Sequence, residues 1–134
     1  EIEFSALLAE KLSILVEAVR QIGHPAIRNR GTLGGSVAHA DPAAELPCVL
    51  TALDAAVVVV GPGGERTIPA KDFFVGYYAT ALGDGEIVKE VRVPLAESSA
   101  GWSFLEFARR HGDFALAEAS VVLHARQAGR RSVV

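Results

Sequence analysis

The sequence predicts an α+β fold, with helices in its first part and antiparallel strands in most of the remainder. Apolar residues recur at helical spacing in residues 6–22, which is typical of an amphipathic helix. A β-branched run at residues 55–60 leads through the turn sequence 61–64 into an extended segment at 65–68, and this pattern predicts a hairpin. The 134 residues suit one domain or part of one.

The composition is that of a globular protein, and it limits the classes of partner. Half of the residues are hydrophobic and 22% are charged, which argues against disorder and coiled coil. A net charge of −3 predicts no basic surface for nucleic acid. The single cysteine, Cys48, lies among apolar residues and predicts a buried thiol in a reducing compartment. Because no signal peptide and no apolar run of membrane-spanning length occur, we expect a cytoplasmic protein.

The first helix is predicted with both of its ends. Ser5 can cap the first turn, because its side-chain oxygen can accept from a free backbone N–H group. Gly23 and Pro25 provide the end, since glycine commonly follows a helix and proline cannot continue one. Charged residues occupy the side opposite the apolar residues, so one face of the helix is expected to pack against a core.

A loop and a second helix are predicted next. Residues 27–39 contain three glycines and show neither a helical nor an alternating period, so we expect an ordered loop. Asp41 followed by Pro42 is typical of a helix start, with a capping acceptor before proline at the first helical position. Apolar residues at helical spacing continue this helix to Leu53.

The second half of the sequence is predicted to consist mainly of strands. Residues 69–78 contain four aromatic side chains and suit a short helix or a packed loop. The polar, small-residue segment 96–101 suits a loop at a domain boundary. Further strands are predicted at residues 86–93, 102–108 and 117–126, with a partner strand beginning at 131–134.

The glycine-rich segment 32–36 is the most informative stretch for function. Its paired glycines, Gly34 and Gly35, allow the backbone to approach a ligand closely and to direct N–H groups towards a phosphate. The alternative is a tight turn in which a glycine adopts a positive φ. The segment matches neither the P-loop nor the dinucleotide-binding fingerprint, because it lacks the spacing of either motif.

Other constellations of polar residues favour no catalytic or metal site. His39 with Asp41 and His111 with Asp113 each pair an imidazole with a carboxylate, but a zinc site needs three or four converging ligands. Ser36, His39 and Asp41 lie too close together in sequence for the geometry of a hydrolytic triad. We therefore predict neither catalytic residues nor metal ligands.

Two longer segments carry a family resemblance. Residues 27–36, IRNRGTLGGS, and residues 40–47, ADPAAELP, resemble the FAD-binding medium subunit of the molybdenum hydroxylases, the family of xanthine dehydrogenase and aerobic carbon monoxide dehydrogenase. Further stretches that resemble the family extend over the rest of the chain: residues 73–77, 85–94 and 107–115.

The resemblance implies a set of FAD-contacting residues. Thr32 and Ser36 would offer side-chain hydrogen bonds to the pyrophosphate and ribityl region, and Gly34 and Gly35 would allow close backbone approach. Glu45 would accept hydrogen bonds near the ribityl chain. The apolar residues that would line or cover the cofactor are Ile27, next to the 22–23 corner, and Ile87 or Val88.

The resemblance also implies an architecture. Residues 1–95 would form the second subdomain of a PCMH-type FAD-binding domain, an antiparallel sheet with flanking helices, and residues 101–134 would begin a C-terminal α+β domain. In the family, another glycine-rich loop, of the type A-G-G-H-S, holds the pyrophosphate from the opposite side, and it does not occur in this sequence. We therefore expect the central portion of a subunit about twice as long, which by itself would hold FAD weakly or not at all.

Three functional hypotheses follow. By the resemblance, the full-length subunit would bind FAD and pass electrons from iron-sulfur clusters on a small partner subunit to an external acceptor, while a large partner subunit carries the molybdenum cofactor. The second hypothesis is a structural or assembly module without bound flavin. The third is an anion-binding domain that does not bind flavin.

Overall fold

The computed structural model describes residues 1–95 and 100–124. A short 3-10 helix, Ile2–Phe4, precedes the first α-helix. The α-helices are α1 (Ala6–Lys11), α2 (Ser13–Gln21), α3 (Pro25–Arg28), α4 (Leu33–His39), α5 (Glu45–Ala52) and α6 (Ala70–Phe73). The strands are β1 (Ala56–Gly61), β2 (Gly64–Pro69), β3 (Phe74–Gly76), β4 (Ala79–Thr80), β5 (Ile87–Arg92), β6 (Ala100–Phe107) and β7 (Ala117–His124). Helices and antiparallel sheets together confirm the predicted α+β class.

The first predicted helix is divided into α1 and α2. Ser5 caps α1 as expected, because its Oγ accepts from the Leu8 N–H at 3.3 Å. The prediction of one continuous helix is wrong at Leu12, whose φ of −143° and ψ of 50° are not helical. The break redirects the chain so that Leu12 and three consecutive residues of α2, Ile14, Leu15 and Val16, are all buried, which one straight helix with a single apolar stripe would not achieve.

The predicted loop at residues 27–39 contains parts of two short helices instead. Pro25 is the first residue of α3, and Thr32 caps α4. Glycine disfavours helix interiors by only about 1 kcal/mol. Here the cap and the complete burial of Val37 outweigh this preference, so α4 forms through Gly34 and Gly35.

Helix α5 begins later than the sequence predicts. Asp41 Oδ1 accepts from the Ala43 N–H at 2.9 Å, and this contact forms a turn before the helix. The helix itself starts at Glu45. Pro47 then lies in the first turn, where its missing N–H removes no helical hydrogen bond.

The central sheet has the strand order β2–β1–β5, with both pairs antiparallel. The hairpin of β1 and β2 confirms the prediction from residues 55–68, and Gly64 in its turn has a φ of +98°. Strand β5 confirms the strand predicted at 86–93 within one residue at each end. Between β2 and β5, residues 69–78 form α6 and β3, and β3 pairs with β4.

The last two strands form a separate two-stranded sheet, β6–β7. One face of this hairpin carries Phe104 and Val122, which pack into one apolar cluster with residues of α2 and with Leu46 and Val49 of α5. The predicted boundary segment 96–101 lies largely outside the described residues, as do the end of the strand predicted at 117–126 and the partner strand at 131–134. The division into two domains stays a prediction.

Two apolar clusters hold the elements together. The first joins α1, α2, α5 and the inner face of β6–β7. The second joins α4, α5, α6 and the central sheet, with Phe73, Val57 and Val59 fully buried. Leu33, the first residue of α4, packs against both clusters, so the start of α4 is held between them.

Candidate functional site at the start of helix α4

The first turn of α4 presents free backbone N–H groups. Thr32 Oγ1 accepts from the Gly35 N–H at 3.0 Å, and the Thr32 carbonyl accepts from the Ser36 N–H at 3.1 Å. Within the described residues, the N–H groups of Leu33 and Gly34 have no acceptor. Two amide donors at the positive end of a helix can bind an anionic oxygen. The Thr32 hydroxyl proton is also still available, because the cap uses only the oxygen as an acceptor.

Gly34 and Gly35 serve different purposes. A Cβ atom added at Gly34 would find only Val88 Cγ1, at 4.0 Å, so this part of the helix surface is open. A Cβ atom at Gly35 would lie 2.8 Å from Thr32 Oγ1 and would displace the capping side chain. Neither glycine has a positive φ, so the alternative of a left-handed tight turn is wrong.

The structure distinguishes Ile87 from Val88, the two residues of β5 of which one or the other is expected to cover the cofactor. Val88 is partly buried in the second cluster and lies beside Gly34. Ile87 is its neighbour in the strand and therefore points to the opposite face of the central sheet, where it is 65% exposed. Only Val88 shares a surface with α4.

The corner before α3 is fixed by an arginine that the sequence reasoning missed. Arg28 Nε donates to Glu3 Oε2 at 3.0 Å, and Arg28 Nη1 donates to the carbonyls of Ile22 and Gly23 at 3.0 and 3.2 Å. Ile27 is exposed and lies over Gly23, where a Cβ atom would come within 2.8 Å of Ile27 Cδ1. No local pattern reveals such a contact, since Glu3 is 25 residues away in sequence.

The connection between β6 and β7 packs against the same corner. Gly112 has a φ of +85°, and a Cβ atom there would lie 2.8 Å from the Gly23 carbonyl oxygen and 2.9 Å from His24 Cε1. Only glycine fits this conformation and this approach. The hairpin is therefore anchored to the segment that leads into α3 and α4.

Glu45 and Ser36 differ in their surroundings. Glu45, the first residue of α5, is buried, and burial raises the pKa of its carboxyl, with further contributions from the charges of Glu106 and Asp41. A hydrogen bond from the backbone N–H of Glu45 itself lowers this pKa. The Ser36 hydroxyl, on α4, makes no hydrogen bond within the described residues. Ser36 is therefore free to bind a ligand, whereas Glu45 already belongs to a group of carboxylates.

The far end of α4 is held by two residues in the left-handed region. Ala40 and Tyr78 have φ values of +51° and +53°, and the Tyr78 N–H donates to the Ala40 carbonyl at 3.0 Å. The charge of Asp41 raises the pKa of the Tyr78 hydroxyl, and the rings of His39 and Tyr78 are 5.1 Å apart. Non-glycine residues in this region are uncommon, and the sequence carries no signal for them. They fix the orientation of α4 from its C-terminal end.

Residues 1–95 and 100–124, which the structure describes, contain no helix with the length and apolar character needed to cross a membrane. They also contain no group of three or more His, Cys, Asp or Glu side chains arranged to hold a metal ion.

Comparison with known proteins shows a consistent set of relatives. Residues 1–96 match the family described as the FAD binding domain in molybdopterin dehydrogenase. The chain is 50% identical over 119 residues to the nicotine 6-hydroxylase medium subunit of Paenarthrobacter nicotinovorans, which covers 89% of this chain and 41% of that protein. It is 47% identical over 128 residues to the 6-hydroxypseudooxynicotine dehydrogenase complex subunit alpha of the same organism, over 96% of this chain and 43% of the relative.

A solved structure shows the same architecture. Carbon monoxide dehydrogenase from Hydrogenophaga pseudoflava superimposes with a TM-score of 0.91 and 39% identity, over 94% of this chain and 44% of that one. The chain thus spans about two fifths of the length of the curated relatives it matches.

Proposed function

The chain belongs to the family of FAD-binding domains of molybdopterin dehydrogenases, and from this premise we propose that it forms part of the FAD site of a molybdenum hydroxylase. Its role would be to bind the pyrophosphate and orient the flavin. Bound FAD would supply the redox chemistry, by accepting electrons and releasing them to an external acceptor. The protein would thus be an oxidoreductase component rather than a complete enzyme.

The pair of free N–H groups at the start of α4 is the observation that supports this proposal most directly. Leu33 and Gly34 offer two donors where phosphate oxygens bind best, at the N-terminus of a helix. The open surface at Gly34 leaves room for the ligand to approach the backbone. Basic side chains are not required at this site, because the backbone amides at the start of the helix attract the phosphate themselves.

The other predicted residues receive their roles by the same proposal. Thr32 would donate through its hydroxyl proton and Ser36 through its free hydroxyl, while Gly35 would keep the capping geometry intact. Val88 would supply an apolar contact beside Gly34, and Ile27 would supply one at the corner around Gly23. Glu45 and Ile87 have no direct contact with the first turn of α4 among those described above, and the contact of every predicted residue with FAD stays a prediction.

The proposed assembly follows the relatives. Their names describe medium subunits or subunits of a dehydrogenase complex. We infer that this chain likewise acts in a complex, with an iron-sulfur small subunit and a molybdenum-carrying large subunit, in the cytoplasm. Family membership does not favour the alternatives of a module without flavin or a domain for other anions.

One substitution tests the proposal with a matched control. Gly35→Val, made in the complete FAD-loaded subunit, would displace the Thr32 cap and block the ligand surface, so purified protein should lose its flavin absorbance. Gly101→Val is the control, because Gly101 lies in β6 with no atom within 4 Å of an added Cβ. Circular dichroism should show both variants folded. Full flavin stoichiometry in Gly35→Val would contradict the proposed site.

A further inference from the structure

Two glutamates face each other on the inner side of the β6–β7 hairpin. Glu106 and Glu118 are direct partners in the antiparallel register, which places their Cβ atoms about 5 Å apart. Phe104 lies two residues before Glu106 in β6, on the same face, and belongs to the apolar cluster that joins α2 and α5. The side chains of both glutamates therefore lie on the face of the hairpin that packs against the helices, where they are half-buried.

One oxygen of each carboxyl group lacks a hydrogen-bond partner. Oε2 of Glu106 and Oε2 of Glu118 are shielded from solvent and have no hydrogen-bond partner among the described residues. The Oγ atom of the neighbouring Ser120 is in the same state. Two half-buried carboxylates side by side, both ionised and each with one shielded oxygen that lacks a donor, would be unfavourable. A hydrogen-bond donor between these two oxygens would relieve the repulsion.

The surrounding elements supply little positive charge. From α5, Glu45 adds a third carboxylate. Cys48 adds a thiol that hydrogen-bonds to the Glu118 carboxyl, and the pKa of this thiol is raised to about 11, chiefly by burial and then by the charge of Glu118. Asp41, before α5, is also acidic, and its charge acts on Glu45. The opposing influence comes from His111, in the β6–β7 connection, which lowers the pKa of Glu106.

Helix α2 also packs against this region, and its charged groups pair with one another. Arg20 Nη1 lies 3.8 Å from Glu17 Oε2, and both side chains are substantially exposed. Helix α2 therefore provides no free positive charge to offset the carboxylates of the hairpin. A proton is the simplest donor that satisfies two facing carboxyl groups.

We propose that Glu106 and Glu118 share one proton at neutral pH, and that this proton holds the β6–β7 hairpin against α5. Loss of the proton leaves two half-buried negative charges near Glu45 and loosens the hairpin. The contact between α5 and the β6–β7 hairpin is therefore sensitive to pH. It does not depend on whether FAD is bound.

The pKa directions agree with this geometry. Burial, and then the charges of Glu45 and Glu106, raise the pKa of Glu118 to about 7, and burial raises the pKa of Glu106. A raised carboxyl pKa stabilises the folded state fully below the ordinary value of 4.5, and this contribution is lost as the pH rises to about 7. The hairpin contact should therefore weaken towards alkaline pH and not towards acid.

Carboxyl titration by NMR tests the proposal in the full chain. Glutamate side chains labelled with 13C are followed through the pH range, with assignments from Glu106→Gln and Glu118→Gln. We expect the pair to titrate with an apparent pKa near 7. We also expect amide protection factors in β6 and β7 to fall about tenfold between pH 6 and pH 8, as one linked proton requires.

The variants and a control make the result decisive. Glu118→Gln should abolish the pH dependence of the protection factors, because an amide supplies a permanent donor to Glu106. Glu65→Gln is the control, since Glu65 is an exposed residue on β2 that pairs with Lys89 and has a lowered pKa. The proposal is overturned if both carboxyl groups titrate below about pH 5, or if Glu118→Gln keeps the wild-type pH dependence. If the variants fail to fold, the two carboxyl resonances are assigned through their own backbone resonances, and the wild-type titration decides.

Discussion

The central sheet and the β6–β7 hairpin are both antiparallel, but they are covered differently. Strand β1 is buried on both faces, and Val57, Val58 and Val59 have no solvent exposure. The hairpin buries only its inner face, while its outer face leaves exposed the apolar side chains of Leu105, Phe107, Val121 and Leu123. Similar strand-forming sequences thus form a strand buried on both faces in the central sheet and a hairpin buried on one face in β6–β7.

The inner faces differ in chemistry as well. The central sheet presents aliphatic side chains to α4 and α6, whose packing does not change with pH. The hairpin presents Phe104 and Val122 together with two glutamates to α5. The contact of the central sheet with its helices therefore depends on apolar packing. The contact of the β6–β7 hairpin with α5 also depends on the protonation of the glutamates.

A pair of phenylalanine truncations tests the difference in burial with the largest expected effect. Phe73→Ala removes a fully buried ring and should lower the free energy of unfolding by about 3–5 kcal/mol. Phe107→Ala removes an exposed ring and should change it by less than about 0.5 kcal/mol. Urea denaturation followed by circular dichroism measures both. Equal losses in the two variants would show that the hairpin's outer face is covered after all.

Neutralising Glu45 tests the contact between the two regions. Glu45→Gln should weaken FAD binding by about 1 kcal/mol or somewhat more, through loss of a charged acceptor. The same change should raise the free energy of unfolding at pH 8 relative to wild type and leave it nearly unchanged at pH 4, because the carboxyl has a raised pKa. Isothermal titration and urea denaturation at both pH values provide the two readings. Wild-type FAD affinity would remove Glu45 from the site, and reduced stability at pH 8 would contradict its acidic surroundings.

The smallest change in the free energy of unfolding is expected at the cap of α4, a helix that packs against the central sheet. Thr32→Ala removes the acceptor of the Gly35 N–H and should lower the free energy of unfolding by about 0.5–1 kcal/mol. Ser5→Ala removes the equivalent cap of α1 and is the reference for a cap outside the site. FAD affinity should fall in the first variant only. A parallel fall in Ser5→Ala would mean that the loss reflects general stability.

Local patterns in the sequence were sufficient for the elements whose signals are contiguous. The hairpin of β1 and β2, strand β5 and the cap at Ser5 all depend on neighbouring residues, and all three were predicted. The glycine-rich segment was recognised as important but assigned to a loop, because single-residue propensities carry no information on the burial of Val37. The break at Leu12 has the same origin, since it depends on where the core lies.

The features that escaped prediction all involve distant residues. Arg28 meets Glu3 only because α3 folds back onto the start of the chain. The charge of Glu106 acts on Glu45 only because the β6–β7 hairpin, which is distant from α5 in the sequence, packs against that helix. The left-handed conformations of Ala40 and Tyr78 depend on the hydrogen bond between them. Such contacts become visible only in three dimensions.

The central claim is that the N–H groups at the start of α4 bind the cofactor. Its most direct test is a comparison of amide chemical shifts in the complete subunit, labelled with 15N, with FAD bound and after its removal. We expect the largest changes at the Leu33 and Gly34 amides and little change in the turn at Gly63 and Gly64. Unchanged Leu33 and Gly34 resonances in the FAD-loaded protein would contradict the account.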